Sequence, residues 1–269
     1  MSNYGNYYNK DEYSGSSQSV YDFSDKRSKG AFLTKVFGMM FICLLITTVV
    51  AAGFGYGFQY ALVKTATIDG DTVILSESLV TALVATLIVS AIVLLIMSFV
   101  LPITFMRGKH NIIVPLMIYV TVMGILLSAF TFLVDWVILV EAFGITTLIF
   151  GVMGLLGYVS KGRLTGIGVI LLGLILGAAL LSLMNWLMIL IGGVKESNIT
   201  ISWIVSLMIF AFLMLVTLYD VNRIRRIAEN GSRQDNNLVN YCAFILYSDF
   251  ISILVRVIYF LALITGRRK

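Results

Sequence analysis

The chain alternates between long apolar runs and short polar breaks. Seven runs reach the roughly 20 apolar residues that a membrane helix needs. They cover residues 32–57, 79–105, 112–134, 137–159, 165–193, 201–222 and 240–264. Each is continuous rather than alternating, which excludes an outer-membrane barrel of short two-period strands. The pattern predicts an all-α polytopic membrane domain over residues 31–269. The 29-residue fifth run must tilt or protrude. Residues 1–30 are rich in Tyr, Ser, Asn and Gly, cannot bury a core, and are expected to form a disordered tail. That tail precedes the first apolar run, so no cleavable signal peptide is expected.

Composition agrees. Of 269 residues, 59% are hydrophobic and 12% charged, against about 25% charged in a soluble domain. Mean hydropathy is +0.97. Cys43 and Cys242 both lie in or beside apolar runs, which implies no disulfide framework. The single histidine, His110, cannot build a poly-His zinc site. No glycine-rich phosphate loop is present, and no polar segment is long enough to hold a nucleotide domain.

Basic residues set the expected orientation. Lys26, Arg27, Lys29 and Lys35 precede or open the first run; Arg107 and Lys109, Lys161 and Arg163, and Arg223, Arg225, Arg226 and Arg233 fall in every second loop. The alternate loops hold Lys64 and Lys195 beside Asp69, Asp71, Glu77, Asp135 and Glu196. The N-terminus is therefore expected in the cytoplasm. The net charge of +5 reads as membrane orientation, and no nucleic-acid partner is expected. Seven spans place the C-terminus outside, where Arg267, Arg268 and Lys269 break the pattern. A full seventh span is favoured over a re-entrant one, because 243–264 is long enough to cross. Gly151, Gly154 and Gly157 in the fourth run, and Gly173 and Gly177 in the fifth, have the spacing of close helix contacts.

The last run, ILYSDFISILVRVIYF, holds an aspartate and an arginine at membrane depth. Successive helix positions turn by about 100°. Tyr241, Cys242, Asp249, Ser252 and Arg256 then share one side, with Ser248 and Tyr259 flanking it. Such a stripe faces protein or a water-filled cavity rather than lipid. Seven residues separate Asp249 from Arg256, about 10 Å along the axis, too far for a direct bond. The candidate partner of Asp249 is Asp220. Counted from the outer boundary, the two lie about 28 and 24 Å deep, on the inner side of a core roughly 30 Å thick. Two such carboxylates cannot both ionise at little cost, so they share a proton and titrate as a unit. Loss of that proton turns attraction into repulsion between two helices, a pH-responsive latch. The freed carboxylates suit a hard cation such as Ca²⁺, bound transiently. Against this stands a plainer reading, in which Asp220 pairs with Arg223 three residues on and Asp249 is structural. Glu141 either attracts cations at an outer mouth or snorkels to the interface, and it is a candidate partner for Arg256. Trp136, Trp186 and Trp203 lie near span ends, as an aromatic belt would place them.

Four stretches resemble the transmembrane Bax inhibitor motif family, bacterial type: AFGITTLIFGVMGLLGY (142–158), LTGIGVILLGLILGAALLSLMNWL (164–187, with Asn185), TLYDVNRIR (217–225) and FILYSDFISIL (244–254). The resemblance runs in order from about residue 31 to 264. It implies seven helices, six around a central C-terminal one, in a bacterial plasma membrane. It implies that Asp220 and Asp249 form a pH-sensing pair and that Ca²⁺ leaks across the membrane under their control, without enzymatic activity or a cofactor. Some family members carry a basic residue on the second helix close to the aspartates. Here LVTALVATLIVSAIVLLIMSFV (79–100) has no charge, which puts the strength and working pH of the latch in question. Some bacterial members are linked to a membrane protease, so a non-conducting regulator of stress response or of such a protease is the alternative. An intramembrane aspartyl protease would also use two membrane aspartates. Tyr219-Asp220 fits one of its motifs, but the GxGD sequence is missing, and this reading is set aside.

Overall fold

The computed structural model describes residues 26–65, 67–69, 72–74, 77–107, 111–160, 170, 174–175, 182, 199–230 and 236–266. Its helices are α1 (Lys26–Thr65), α2 (Glu77–Arg107), α3 (Ile113–Leu127), α4 (Phe130–Leu133), α5 (Trp136–Val159), α6 (Ile199–Asn230) and α7 (Asn236–Gly266). A short antiparallel hairpin of β1 (Thr67–Asp69) and β2 (Thr72–Ile74) joins α1 to α2.

Among the described residues, six helical stretches are long and apolar enough to cross a membrane: Gly30–Thr65, Glu77–Met106, Ile113–Leu133, Trp136–Val159, Trp203–Glu229 and Asn236–Thr265. They correspond to six of the seven expected runs. The fifth run, with Gly173, Gly177, Asn185 and Trp186, lies outside the described residues apart from 170, 174–175 and 182. The helices extend past the apolar limits. α1 begins at Lys26, and α6 continues to Asn230, eight residues beyond the expected end at 222. Helical hydrogen bonding does not stop where apolarity stops, and Arg225 and Glu229 extend α6 with an i,i+4 ion pair at 2.7 Å.

The third run is not one uninterrupted helix. Ser128 Oγ donates to the Ile125 carbonyl at 2.6 Å, and Thr131 Oγ1 donates to the Ser128 carbonyl at 2.7 Å. These local bonds compete with the helical ladder. The chain turns tightly at Ser128–Ala129 between α3 and α4.

α7 packs against α1, α2, α3, α5 and α6. In its membrane-crossing stretch 44% is buried, against 11–28% in the other five. Leu246, Tyr247 and Ile253 are fully buried. Phe143 and Phe150 of α5 flank Phe250 with centroids 5.5 and 5.6 Å away. Trp203 and Phe210 of α6 sit 5.7 and 5.6 Å from Phe260. α2, by contrast, exposes Ile88, Leu95 and Phe99. Apolar surface of that extent is stable in lipid, not in water.

Two glycines permit close helix approach. A methyl at Gly124 would lie 2.9 Å from the Thr47 carbonyl oxygen of α1, and one at Gly157 would lie 2.6 Å from the Leu218 carbonyl oxygen of α6. Among the described residues, Gly151 and Gly154, expected to line the same contact as Gly157, have no neighbour within 4 Å of an added methyl. Among the described residues, of the glycines at 151, 154 and 157 it is Gly157 that meets α6, near the C-terminal end of α5.

Candidate functional site

Polar groups gather where α5 ends against the TLYDVNRIRR stretch of α6, and α7 carries ILYSD against the middle of α5. Asp220 and Asp249 are both half-buried on the facing helices α6 and α7. The Asp220 carboxylate lies within electrostatic reach of Asp249. Oδ2 of Asp249 is fully buried and has no hydrogen-bond partner among the described residues. In native structures an orphaned buried oxygen of this kind is rare and asks for a functional or structural reason. A second orphan, Thr146 Oγ1, lies on the face of α5 that turns Phe143 and Phe150 toward α7.

Arg223 is exposed and makes no contact ion pair with Asp220, although its charge reaches both Asp220 and Cys242. The i,i+3 pairing considered from the sequence is therefore not formed. The ion pair among the described residues is Arg225–Glu229.

The expected stripe on α7 is divided between neighbours. Cys242 is buried on the side reached by Asp220 and Arg223 of α6. Tyr241 stacks on Phe105 of α2, centroids 4.2 Å apart and planes within 4°. Ser252 turns inward along its own helix and donates to the Ser248 carbonyl at 2.8 Å. Arg256 is half-buried, with its guanidinium 5.7 Å from the centre of the Tyr259 ring. The structure does not bring it to Glu141, which is exposed on α5. An aromatic face is a favourable but weaker partner for a guanidinium than a carboxylate. Asn185 lies outside the described residues.

The side chains that hold this region were not singled out from the sequence. Asn222, buried two residues beyond Asp220, donates through Nδ2 to the carbonyls of Gly157 at 3.1 Å and Ser160 at 2.6 Å. Its Oδ1 accepts from Arg226 Nε at 2.7 Å and also from Arg226 Nη2. The Arg225 guanidinium donates to the Tyr158 carbonyl and, at 3.3 Å, to that of Ser160, and lies 5.3 Å from the centre of the Tyr158 ring. The last carbonyls of a helix have no intrahelical donor. Asn222 and Arg225 supply donors to those of α5 and so fix α5 against α6 beside Asp220.

A second set of hydroxyls ties α7 to the other side. Tyr247 and Thr47 share a hydrogen bond of 2.6 Å, and Thr47 Oγ1 also reaches the carbonyls of Cys43 at 2.9 Å and Val120 at 3.3 Å. The Tyr119 hydroxyl lies near the side chains of Ser98 on α2 and Ser248 on α7. The uncharged span of α2 thus comes near the Asp249 region at Ser98, by way of Tyr119. Asn237 Oδ1 accepts from the Ile112 amide at 3.2 Å and joins the starts of α3 and α7. Lone Thr, Ser and Asn residues inside apolar runs were the available signal, since interhelical hydrogen bonds in lipid come from such residues.

Among the described residues no three of His, Cys, Asp and Glu converge on one point. Two carboxylates fall short of the six to eight oxygens of a resident Ca²⁺ site.

Long apolar helices, lipid-facing surface and a buried polar layer define a multi-pass integral membrane protein. A family model described as "Inhibitor of apoptosis-promoting Bax1" matches residues 29–267, and the chain belongs to that Bax inhibitor family. It is 26% identical over 230 residues to the "Inner membrane protein YbhL" of Escherichia coli K12, covering 82% of this chain and 87% of that protein. The YbhL of Escherichia coli O6:H1 strain CFT073 matches with the same identity and coverage.

Proposed function

We propose that this protein is a pH-modulated Ca²⁺ leak of a bacterial plasma membrane, controlled by Asp220 and Asp249 acting as a pair. In this reading six helices surround the C-terminal one, the N-terminus is cytoplasmic, and the protein needs neither a cofactor nor an enzymatic step. The observation that carries the proposal is the buried, unpartnered Oδ2 of Asp249, with the Asp220 carboxylate as its electrostatic neighbour across the α6–α7 contact. A carboxylate oxygen left without a donor is ready to accept a proton or a passing cation, and either event changes the force between the two helices. Family membership supports the reading by resemblance, and the inner-membrane description of YbhL supports the location.

The test is Ca²⁺ entry into liposomes that hold the purified chain, comparing wild type, Asp220→Asn and Asp249→Asn between about pH 5 and 8. A leak that varies with pH in wild type and loses that dependence in both variants is the expected result. Absence of a leak above empty liposomes at every pH would sink conduction. The alternative, a non-conducting regulator of stress response or of a membrane protease, would then take its place.

A further inference from the structure

Away from the aspartates, α1, the α3–α4 turn, α5 and α7 enclose a half-open cavity of about 590 Å³. That is within the usual range for ligand pockets, roughly 300–1,000 Å³. On α1 its lining runs from Leu44 to Gln59, about 22 Å of helix at 1.5 Å per residue. The cavity is therefore a shaft rather than a bowl. Its wall is mainly Leu, Ile, Val, Phe and Ala. The threonine hydroxyls and the Gln59 amide nitrogen along that wall are already engaged. Thr47 bonds Tyr247, Thr48 donates to the Leu44 carbonyl at 2.8 Å, Gln59 donates to the Thr131 carbonyl at 2.8 Å, and Thr131 donates to the Ser128 carbonyl. The shaft thus offers a guest mainly hydrocarbon contact.

The mouth differs. Asp135 lines it, is exposed, and precedes α5 without a side-chain capping bond. Its main-chain oxygen holds the first turn, accepting from Ile138 at 3.0 Å and Leu139 at 3.3 Å. The carboxylate is left over, and among the described residues no cation pairs with it. Exposed Tyr56 and Trp136 flank the opening, the residue types that settle where a bilayer meets water.

We propose that this shaft binds an ammonium-headed amphiphile, its hydrocarbon chain along α1 and its head at Asp135. Charge complementarity selects the head: an ammonium gains the unpaired carboxylate, whereas a sulfate or phosphate head is repelled by it. This site is separate from the aspartates of α6 and α7 and does not depend on the leak reading.

The test uses the full chain in a neutral detergent, with dodecylammonium as probe and dodecyl sulfate as control, followed by calorimetric titration. Wild type should bind one dodecylammonium saturably and dodecyl sulfate at least tenfold more weakly. Asp135→Asn keeps a good residue ahead of the helix and should weaken dodecylammonium binding about fivefold, the scale of one partly screened ion pair. Ala52→Trp, which fills the shaft, should abolish it, while a sharp melting transition shows that the variant is folded. Dodecyl sulfate binding as tightly as dodecylammonium, unchanged affinity in Asp135→Asn, or unchanged binding in a folded Ala52→Trp would each overturn the proposal.

Discussion

Where α5 ends, its carbonyls are met by Asn222 and Arg225 of α6. Where α5 begins, beside Asp135, the helices part around a cavity of about 590 Å³. One bundle therefore has a polar, closely held end and an apolar, loosely filled one. In lipid no hydrophobic force drives helices together, so packing and interhelical hydrogen bonds decide how firmly each end is held. The held end is also where two carboxylates are kept half-buried on facing helices. Asn222 and Arg225 hold α5 against α6 beside Asp220, and the other end has room for a guest.

Removing Asn222 should break this contrast most severely. Asn222→Ala takes a donor from the Gly157 and Ser160 carbonyls and the acceptor from Arg226; Ser160 keeps Arg225, so the Gly157 carbonyl and Arg226 are the groups that lose their partner. Each such group costs about 1–3 kcal/mol, so a total near 3 kcal/mol is expected, read as a fall of several degrees in Tm in detergent. Gly157→Val tests the same contact sterically. Its first added carbon alone meets the Leu218 carbonyl at 2.6 Å, and overpacking of this kind costs about 1–3 kcal/mol. If both variants melt with wild type, the α5–α6 contact is not what holds this end.

Tyr247→Phe should act less strongly. It keeps the buried ring and its edge contact with Tyr119, centroids 6.2 Å apart, and removes only the 2.6 Å bond to Thr47. Thr47 keeps its Cys43 carbonyl partner, so no new orphan is created. A loss of about 1 kcal/mol is expected, measured by the same melt. A cost above that of Asn222→Ala would reverse the order of the two ties.

The apolar runs made the six described crossings legible, because a 20-residue run has few alternatives in a chain this apolar. Asp220 and Asp249 stood out as charges inside apolar runs at similar counted depth, and the two helices that carry them are in contact. The break at Ser128 was not, since its cause is two side chains bonding nearby carbonyls rather than any loss of apolarity. Of the glycines at 151, 154 and 157, spacing treated three as equal; among the described residues Gly157 is the one in close contact, with α6. Asn222 escaped notice beside the louder charges of DVNRIRR, and its role depends on which carbonyls a neighbouring helix presents. Arg256 and Glu141 looked like mutual partners only because both lacked one. Helix ends past residue 222 were missed because apolarity marks the bilayer, not the hydrogen-bond ladder.

The smallest effect is expected at the loose end. Ala52 lines the shaft and is half-buried. Ala52→Leu adds three carbons beside open volume, so the new side chain finds space instead of displacing a neighbour. Overpacking is destabilising only where neighbours already touch. Leucine is also nearly as good a helix former as alanine. Tm should stay within the shift that corresponds to about 0.5 kcal/mol, in either direction. The same added volume in a close contact would fall in the range expected for Gly157→Val. A loss at Ala52 as large as that of Gly157→Val would mean that α1, α5 and α7 close on this space, and the distinction between a held end and an open one would fail.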